Sequence, residues 1–421
     1  MKFAGAIIFK WLCCLLMVFS AMSFANYNAN KGTAEPIALY LTWQRSPEST
    51  MTIFWITGFD NHDDRMEYRR EGDGRWIAAT GTHTLLPSEH SPHLLHSIEL
   101  INLQADTEYL FRIGRYANKY KFRTAPATLT ESIHFVVGGD IYHDSIESFR
   151  ETNRVAAKTN PLFAIVGGDI AYADDKAASF IPNWAQSFFN PLTNQKIDRW
   201  LIWLTAWKND MVAPDGRLIP LLPVIGNHDT NGRFDQTPAQ APFFYSLFAM
   251  PGQQGYNVLD FGDYLSIILL DSGHTHSVGG PQTVWLENAL RQRNHIWNKM
   301  AVYHVPAFPS VRPFNYDVSM QIRKNWVPLF EKYHLTMAFE HHDHAYKRTF
   351  PLRDGQIDLS GVVYMGDGAW GVHDPRKPDT QRWYIANSAS SRHFISAAIH
   401  PDRREITAIS FDGKVLDEFS W

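Results

Sequence analysis

The chain has 421 residues and a formal net charge of −4, with 45% apolar and 19% charged residues. That composition excludes a disordered or collagen-like chain, and the length fits two domains, or three at most. Mild acidity gives no global attraction for nucleic acid or anionic lipid, so an anionic substrate must be drawn in by local charge.

The first predicted element is an export signal. Lys2 and Lys10 precede an apolar run at 11–19, and small residues follow, ending in Ser23-Phe24-Ala25. A basic start, a short apolar run and a small-x-small site predict a signal peptide over 1–25 and a secreted or periplasmic mature protein. The alternative is an uncleaved anchor, although the run is short for a bilayer span. Cleavage after Ala25 would remove Cys13 and Cys14, the only cysteines. The mature chain would then have no disulfide, no thiolate metal site and no cysteine nucleophile. No later apolar stretch approaches ~20 residues, so no membrane association is expected after cleavage.

Residues 26–127 form the next unit. Short runs at 37–43, 51–57, 66–70, 94–100, 108–116 and 119–124 are separated by Gly, Asp and Pro. Period-two patterning in such runs predicts a β-sandwich. Leu103, Thr107 and Tyr109 are spaced as in the tyrosine-corner region of fibronectin type III modules.

Residues 128–421 change texture. Apolar runs at 133–137, 162–166, 218–225, 264–270, 299–305, 335–339 and 361–365 alternate with helical patterns. They predict an α/β domain with a buried sheet, closed by strands at 393–399 and 406–411. The stretch 176–217 holds Trp184, Trp200, Trp203 and Trp207 and is predicted to be an insertion beside a site. Core packing is the alternative use of each Trp.

Chemistry concentrates at the ends of the apolar runs. Ile133-His134-Phe135-Val136-Val137-Gly138-Gly139-Asp140 is echoed by Leu162-Phe163-Ala164-Ile165-Val166-Gly167-Gly168-Asp169. The spacing suits a strand, a helix and a parallel strand; neighbouring strands lie ~4.8 Å apart, so both carboxylates should emerge together at the carboxyl edge of one sheet. Later runs end in Gly226-Asn227-His228-Asp229, in Tyr303-His304-Val305-Pro306 and in Glu340-His341-His342-Asp343-His344. A lone His is commonly structural, but Asp, Asn and His at five strand ends in order along the chain predict a metal site.

In this order the blocks resemble the metallophosphoesterase superfamily, and within it the purple acid phosphatase branch, from about residue 37 to the end. That branch is marked by GD, GDxxY, GNH[DE], a lone His after a strand, and GHxH. Tyr172, in Gly168-Asp169-Ile170-Ala171-Tyr172, is the most specific element. Serine/threonine phosphatases of the superfamily carry Asp-Arg-Gly near that position and no ligand tyrosine. The resemblance implies a fibronectin-like sandwich followed by an α/β domain of β-sheets flanked by helices, with metals at strand carboxyl ends.

The resemblance also implies a ligand set. Asp140, Tyr172 and His344 would hold ferric iron. Asn227, His304 and His342 would hold a divalent iron, zinc or manganese ion, and Asp169 would bridge the two. Hard oxygen donors suit a trivalent ion, and imidazole with amide oxygen suits a borderline divalent one. Charges of +3 and +2 against two carboxylates and a phenolate leave about +2, which serves an anionic substrate in an acidic protein.

The implied activity is hydrolysis of phosphate monoesters by metal-bound hydroxide, on a small phosphate ester rather than nucleic acid. A phosphodiesterase on the same centre is one alternative, and a non-catalytic surface-binding protein with structural metals is another. His228 would donate a proton or contact phosphate. Two positions depart from the family pattern: Tyr142 and His341 each stand where Gly is usual. His341 is expected to touch substrate or support the ligands from behind. Asp174 and Asp229 are expected either to orient ligand imidazoles or to be surface carboxylates. His274 and His276 are expected to contact substrate or to be solvated loop residues.

Overall fold

The computed structural model describes residues 35–87, 92–174, 196–230 and 233–420. The signal region with Cys13 and Cys14, and Trp184, lie outside the described residues. Among those residues no helix is long and apolar enough to cross a membrane.

Eight strands build the N-terminal sandwich: β1 (Ala38–Thr42), β2 (Met51–Gly58), β3 (Arg65–Arg70), β4 (Ile77–Thr80), β5 (Thr82–Leu85), β6 (His93–Leu100), β7 (Glu108–Ile113) and β8 (Tyr120–Arg123). They form two antiparallel sheets, ordered β1-β2-β6-β5 and β4-β3-β7-β8. Strands β4 and β5 have no counterpart in the sequence reading. Both are edge strands with largely exposed side chains, so neither needs an apolar alternation. The tyrosine corner is present, with Tyr109 Oη accepting from the Gln104 amide at 2.8 Å.

The second part opens with β9 (Ile133–Gly138), α1 (Ile146–Lys158), β10 (Phe163–Gly167), α2 (Ile197–Asp210) and β11 (Leu221–Val224). It continues through β12 (Asn257–Phe261), β13 (Leu265–Leu269), β14 (Asn298–Val302), β15 (Met337–Glu340), β16 (Tyr346–Thr349), the short pair β17 (Leu352–Arg353) and β18 (Gln356–Ile357), and β19 (Val363–Gly366). It ends with β20 (Ile385–Ala389), β21 (His393–Ile399), β22 (Arg404–Ser410) and β23 (Val415–Ser420).

These strands make two large sheets rather than one, ordered β11-β10-β9-β21-β22-β23 and β12-β13-β14-β15-β19-β16-β20. The parallel runs are β9-β10-β11 in the first and β13-β14-β15-β19 in the second. Phe135 on β9 stacks on Phe163 of β10 at 4.9 Å and meets Phe339 of β15 edge-on at 6.4 Å, so the sheets pack face to face. The single ligand-bearing edge expected from sequence is thus shared between two sheets. Alternation within a run cannot say which sheet the run joins.

Of the predicted insertion, residues 196–217 are described, and there the Trp residues take the alternative role of core packing. Helix α2 buries Trp200, Trp203 and Trp207, and Trp207 stacks on Trp370 at 6.4 Å. The sandwich is likewise continuous with the rest. Trp43, beside β1, meets Phe163 and Phe261 edge-on, at 6.1 and 5.7 Å.

Candidate metal centre

The site is built where the parallel strands end. Past β9 and β10 the chains stay paired: Asp140 N donates to Gly168 O, Ile141 N to Asp169 O, and Tyr142 N to Ile170 O, all within 3.0 Å. Asp140, Asp169, Tyr172, His342 and His344 all have positive φ, between 46° and 74°. That left-handed backbone is uncommon for residues with a Cβ, and a run of such residues marks strain held by surrounding structure. Gly168 takes a φ of 91°, and a Cβ there would lie 2.7 Å from His304 Nδ1. Only glycine lets the His304 ring approach so closely.

Seven side chains converge from both sheets. Tyr172 Oη lies 3.0 Å from Asp140 Oδ1 and 3.3 Å from His344 Nε2, and His344 Nε2 is 2.8 Å from Asp140 Oδ1. Beside this trio, His304 Nε2 is 3.1 Å from Asp169 Oδ2 and 3.1 Å from His342 Nδ1. Asp169, His304 and His342 bring their donor atoms within 4.8 Å of one another. Asn227, from the turn after β11, presents a buried Oδ1.

Proton accounting leaves two ways to satisfy this arrangement, a protonated His304 or bound cations. His304 Nδ1 donates to Gly167 O at 2.9 Å, so a neutral ring points its Nε2 lone pair at the Asp169 carboxylate. The Asp169 Oδ2, Asn227 Oδ1 and His342 Nε2 atoms are all buried without a hydrogen-bond partner. Buried polar groups of native proteins are seldom left so, and electron-pair donors aimed at one another call for cations. The donors, two carboxylates, a phenol, an amide and three imidazoles, fit metal ions. Without metal, burial would depress His304, yet Asp169 and Asp140 outweigh it and lift the ring to about 9. Burial, then Asp140 and Asp169, push the Tyr172 phenol well up. A bound cation reverses that preference.

The calcineurin-like phosphoesterase family model matches residues 133–346, just over half of the chain. The chain belongs to this family. The model for the purple acid phosphatase N-terminal domain matches residues 36–124, which places the phosphoesterase in the purple acid phosphatase branch. An uncharacterised Mycobacterium tuberculosis protein is 23% identical, over 83% of this chain and 72% of its own length. Probable inactive purple acid phosphatase 1 of Arabidopsis thaliana is 21% identical, over 96% of this chain and 71% of its own. The purple acid phosphatase PPD1 from yellow lupin seeds shares the fold, with a TM-score of 0.69 and 14% identity over 91% of this chain and 73% of its own. Membership implies a dinuclear metal centre.

Around that centre the phosphoesterase places its other polar residues unevenly. His228 stacks on Tyr172 at 4.4 Å, and its Nδ1 is held by Asp174 at 2.8 Å. Asp174, its side chain 8% exposed, orients His228 and is neither a surface carboxylate nor the partner of a proposed ligand imidazole. Asp229 is wholly buried and accepts from the amides of Ile170 and Gly226, both at 2.8 Å, so it ties two ligand loops together. Burial and the nearby Asp169 charge lift its carboxyl to about 7.

His341 is buried behind the ligand loops, where a Cβ on Gly167 would fall 1.8 Å from its Nε2. That packing puts it beneath the centre rather than against an entering ester. His274 is not solvated: it is fully buried, stacked on Phe234 at 5.0 Å and 5.6 Å from the His304 ring. His276 packs edge-on against Tyr256 at 5.2 Å, beside Asp271.

Two site residues escape the sequence reading. His143 lies edge-on to both Tyr172 and His344, at 4.9 and 4.7 Å. Its place three residues after Asp140 was the available signal. Arg199 on α2 donates from Nε to Ala171 O at 2.7 Å and from Nη2 to Tyr142 O, with its guanidinium 3.8 Å over the Tyr142 ring. This contact uses the Tyr that replaces the usual Gly, and no local pattern announces it.

Proposed function

We propose that this phosphoesterase hydrolyses small phosphate monoesters at a centre of one ferric ion and one divalent iron, zinc or manganese ion, in a secreted or periplasmic setting. The observation that carries the reading is the convergence of seven donor side chains with three buried donor atoms left unpartnered. Asp140, Tyr172 and His344 would hold one ion, Asn227, His304 and His342 the other, and Asp169 would bridge them. When bound, such a pair supplies an activated water and neutralises charge on the phosphoryl oxygens.

The remaining work falls to the chain. The hydrogen bond from the His228 amide to Asp169 Oδ1, at 2.7 Å, fixes the turn that carries His228. Asp174 occupies the Nδ1 of His228, so Nε2 is the nitrogen left to protonate a departing alkoxide. The residue-1–25 pattern supports export, and the purple acid phosphatase N-terminal match supports a phosphatase.

The test compares p-nitrophenyl phosphate, its bis-(p-nitrophenyl) diester and an alkyl monoester, in wild type and His228→Ala. The monoester should turn over faster than the diester. His228→Ala should slow the alkyl ester ~10²–10⁴-fold while sparing the p-nitrophenyl ester, whose leaving group needs no proton. Faster diester turnover would favour the phosphodiesterase reading, and metal uptake without turnover the binding-protein reading. Equal loss on both monoesters, with metals retained, would leave His228 a positioning residue only.

A further inference from the structure

A second group of metal-type donors lies in the sandwich, far along the chain from the phosphoesterase motifs. We propose that Asp64, His83 and His96 form a site for a borderline divalent cation, which clips the two sheets of the sandwich together. The placement is set by register. His83 on β5 pairs directly with His96 on β6, so both rings project from one sheet. Asp64 immediately precedes β3 of the other sheet, and its carbonyl accepts from Gly81 N at 3.0 Å, at the turn into β5.

Both imidazoles aim their Nδ1 atoms at the same carboxylate. His96 Nδ1 is 2.6 Å from Asp64 Oδ1, and His83 Nδ1 is 2.8 Å from Asp64 Oδ2. The three donor atoms lie within 4.8 Å of one another, as do those of Asp169, His304 and His342. Metal-free, each Nδ1 carries a proton donated to Asp64. Bound, each ring moves that proton to Nε2 and offers the Nδ1 lone pair, with no net proton change.

The outer partners for that tautomer are already in place. His96 Nε2 is 2.8 Å from Thr57 Oγ1, whose hydroxyl can turn to the carbonyls of Gly58 at 3.1 Å or Asn61 at 3.3 Å. His83 Nε2 lies 3.1 Å from His62 Nδ1. Ligand histidines characteristically give their second N–H to such a group. The His96 ring is fully enclosed and stacked on Trp55 at 4.9 Å, and burial lowers its proton affinity against the pull of Asp64. A neutral ring is what a metal requires. The His83 side chain is 28% exposed, which leaves an entry path and open coordination positions for water. Two imidazoles and one carboxylate suit zinc-like ions rather than calcium or magnesium.

Zinc alone is the probe, on the full chain. After dialysis against zinc, elemental analysis should find one more ion per chain in wild type than in His83→Ala or Asp64→Asn, both of which should keep phosphatase activity. Because a variant can fail to fold, wild type supplies a second readout. Diethyl pyrocarbonate attacks an unprotonated imidazole nitrogen, and a zinc-bound His83 carries its proton on Nε2. Peptide mapping should therefore show several-fold less His83 modification with zinc than with chelator. Equal zinc content across the three proteins, or His83 modified equally with and without zinc, overturns the proposal and leaves a hydrogen-bonded His–Asp–His staple.

Discussion

Replacing Asp169 by Asn tests the centre at its most shared atom. Its Oδ1 is committed to the His228 amide at 2.7 Å, and its Oδ2 faces His304 Nε2 at 3.1 Å. The introduced amide would keep its oxygen on the His228 N–H and turn its NH2 toward His304. A donor would then stand where the proposed cation sits, and the carboxylate charge proposed to lie between the two ions would be gone. A ligand bound only by the folded state stabilises it by about 2.7 kcal/mol at a hundredfold excess over Kd. At ~2–4 °C per kcal/mol for a domain of this size, each filled site is worth roughly 5–10 °C in Tm. Differential scanning calorimetry of metal-loaded and chelator-stripped protein reads this directly. Each protein is its own reference, so any change in intrinsic stability drops out. In a His83→Ala background, which removes the sandwich site, the parent chain should show the shift of two sites, Asn227→Ala about half of it, and Asp169→Asn almost none, with elemental analysis in parallel. An undiminished shift and full metal content in Asp169→Asn would refute the bridging role.

Two further outcomes follow from the same geometry. If Tyr172 binds ferric iron as phenolate, the loaded protein should absorb in the visible, and Tyr172→Phe should lose the band while keeping its thermal transition; an active, iron-loaded wild type without colour would refute the assignment. His393 is buried, its Nδ1 bonded to Ser391 O at 2.9 Å, and burial pulls it down to about 4. Its unfolded value is near ~6.5, so between those values the unfolded state binds more protons and stability falls as pH falls, by about 3 kcal/mol in all. Urea midpoints should therefore drop less steeply from pH 7 to 4 in His393→Gln than in wild type, and identical slopes would refute that share.

The residue types of the centre were legible because strand ends punctuate a sequence. Gly-Gly-Asp, Gly-Asn-His-Asp and His-His-Asp-His each follow an apolar run, and a buried parallel strand permits polar residues only where it stops. The same logic located β9, β10, β13, β14 and β15. It missed β4 and β5, whose edge positions impose no pattern, and it left core packing and a place beside the site as alternatives for the Trp-rich stretch. Helix α2 does both, burying Trp200, Trp203 and Trp207 and carrying Arg199 to the Tyr142 and Ala171 carbonyls. The fates of single polar residues were also unreadable. Asp174, His274 and His341 sit in loops and Asp229 in a single 3-10 turn, where sequence gives no burial; the structure buries Asp229, His274 and His341 and leaves the Asp174 side chain 8% exposed.

The sequence alone therefore determined which strand ends carry Asp, Asn and His and in what order, because each belongs to the local grammar of a strand and its terminating turn, while Tyr172 and the division of ligands between two ions came from the family resemblance. Only the tertiary structure decided that two sheets, not one, present them. It was also the structure that set Arg199 on the Tyr142 and Ala171 carbonyls, and His83 opposite His96 above Asp64. The physical reason is separation along the chain. A strand's own alternation fixes which face is buried, but pairing between distant segments is chosen by the packing of complementary surfaces, which no local pattern encodes.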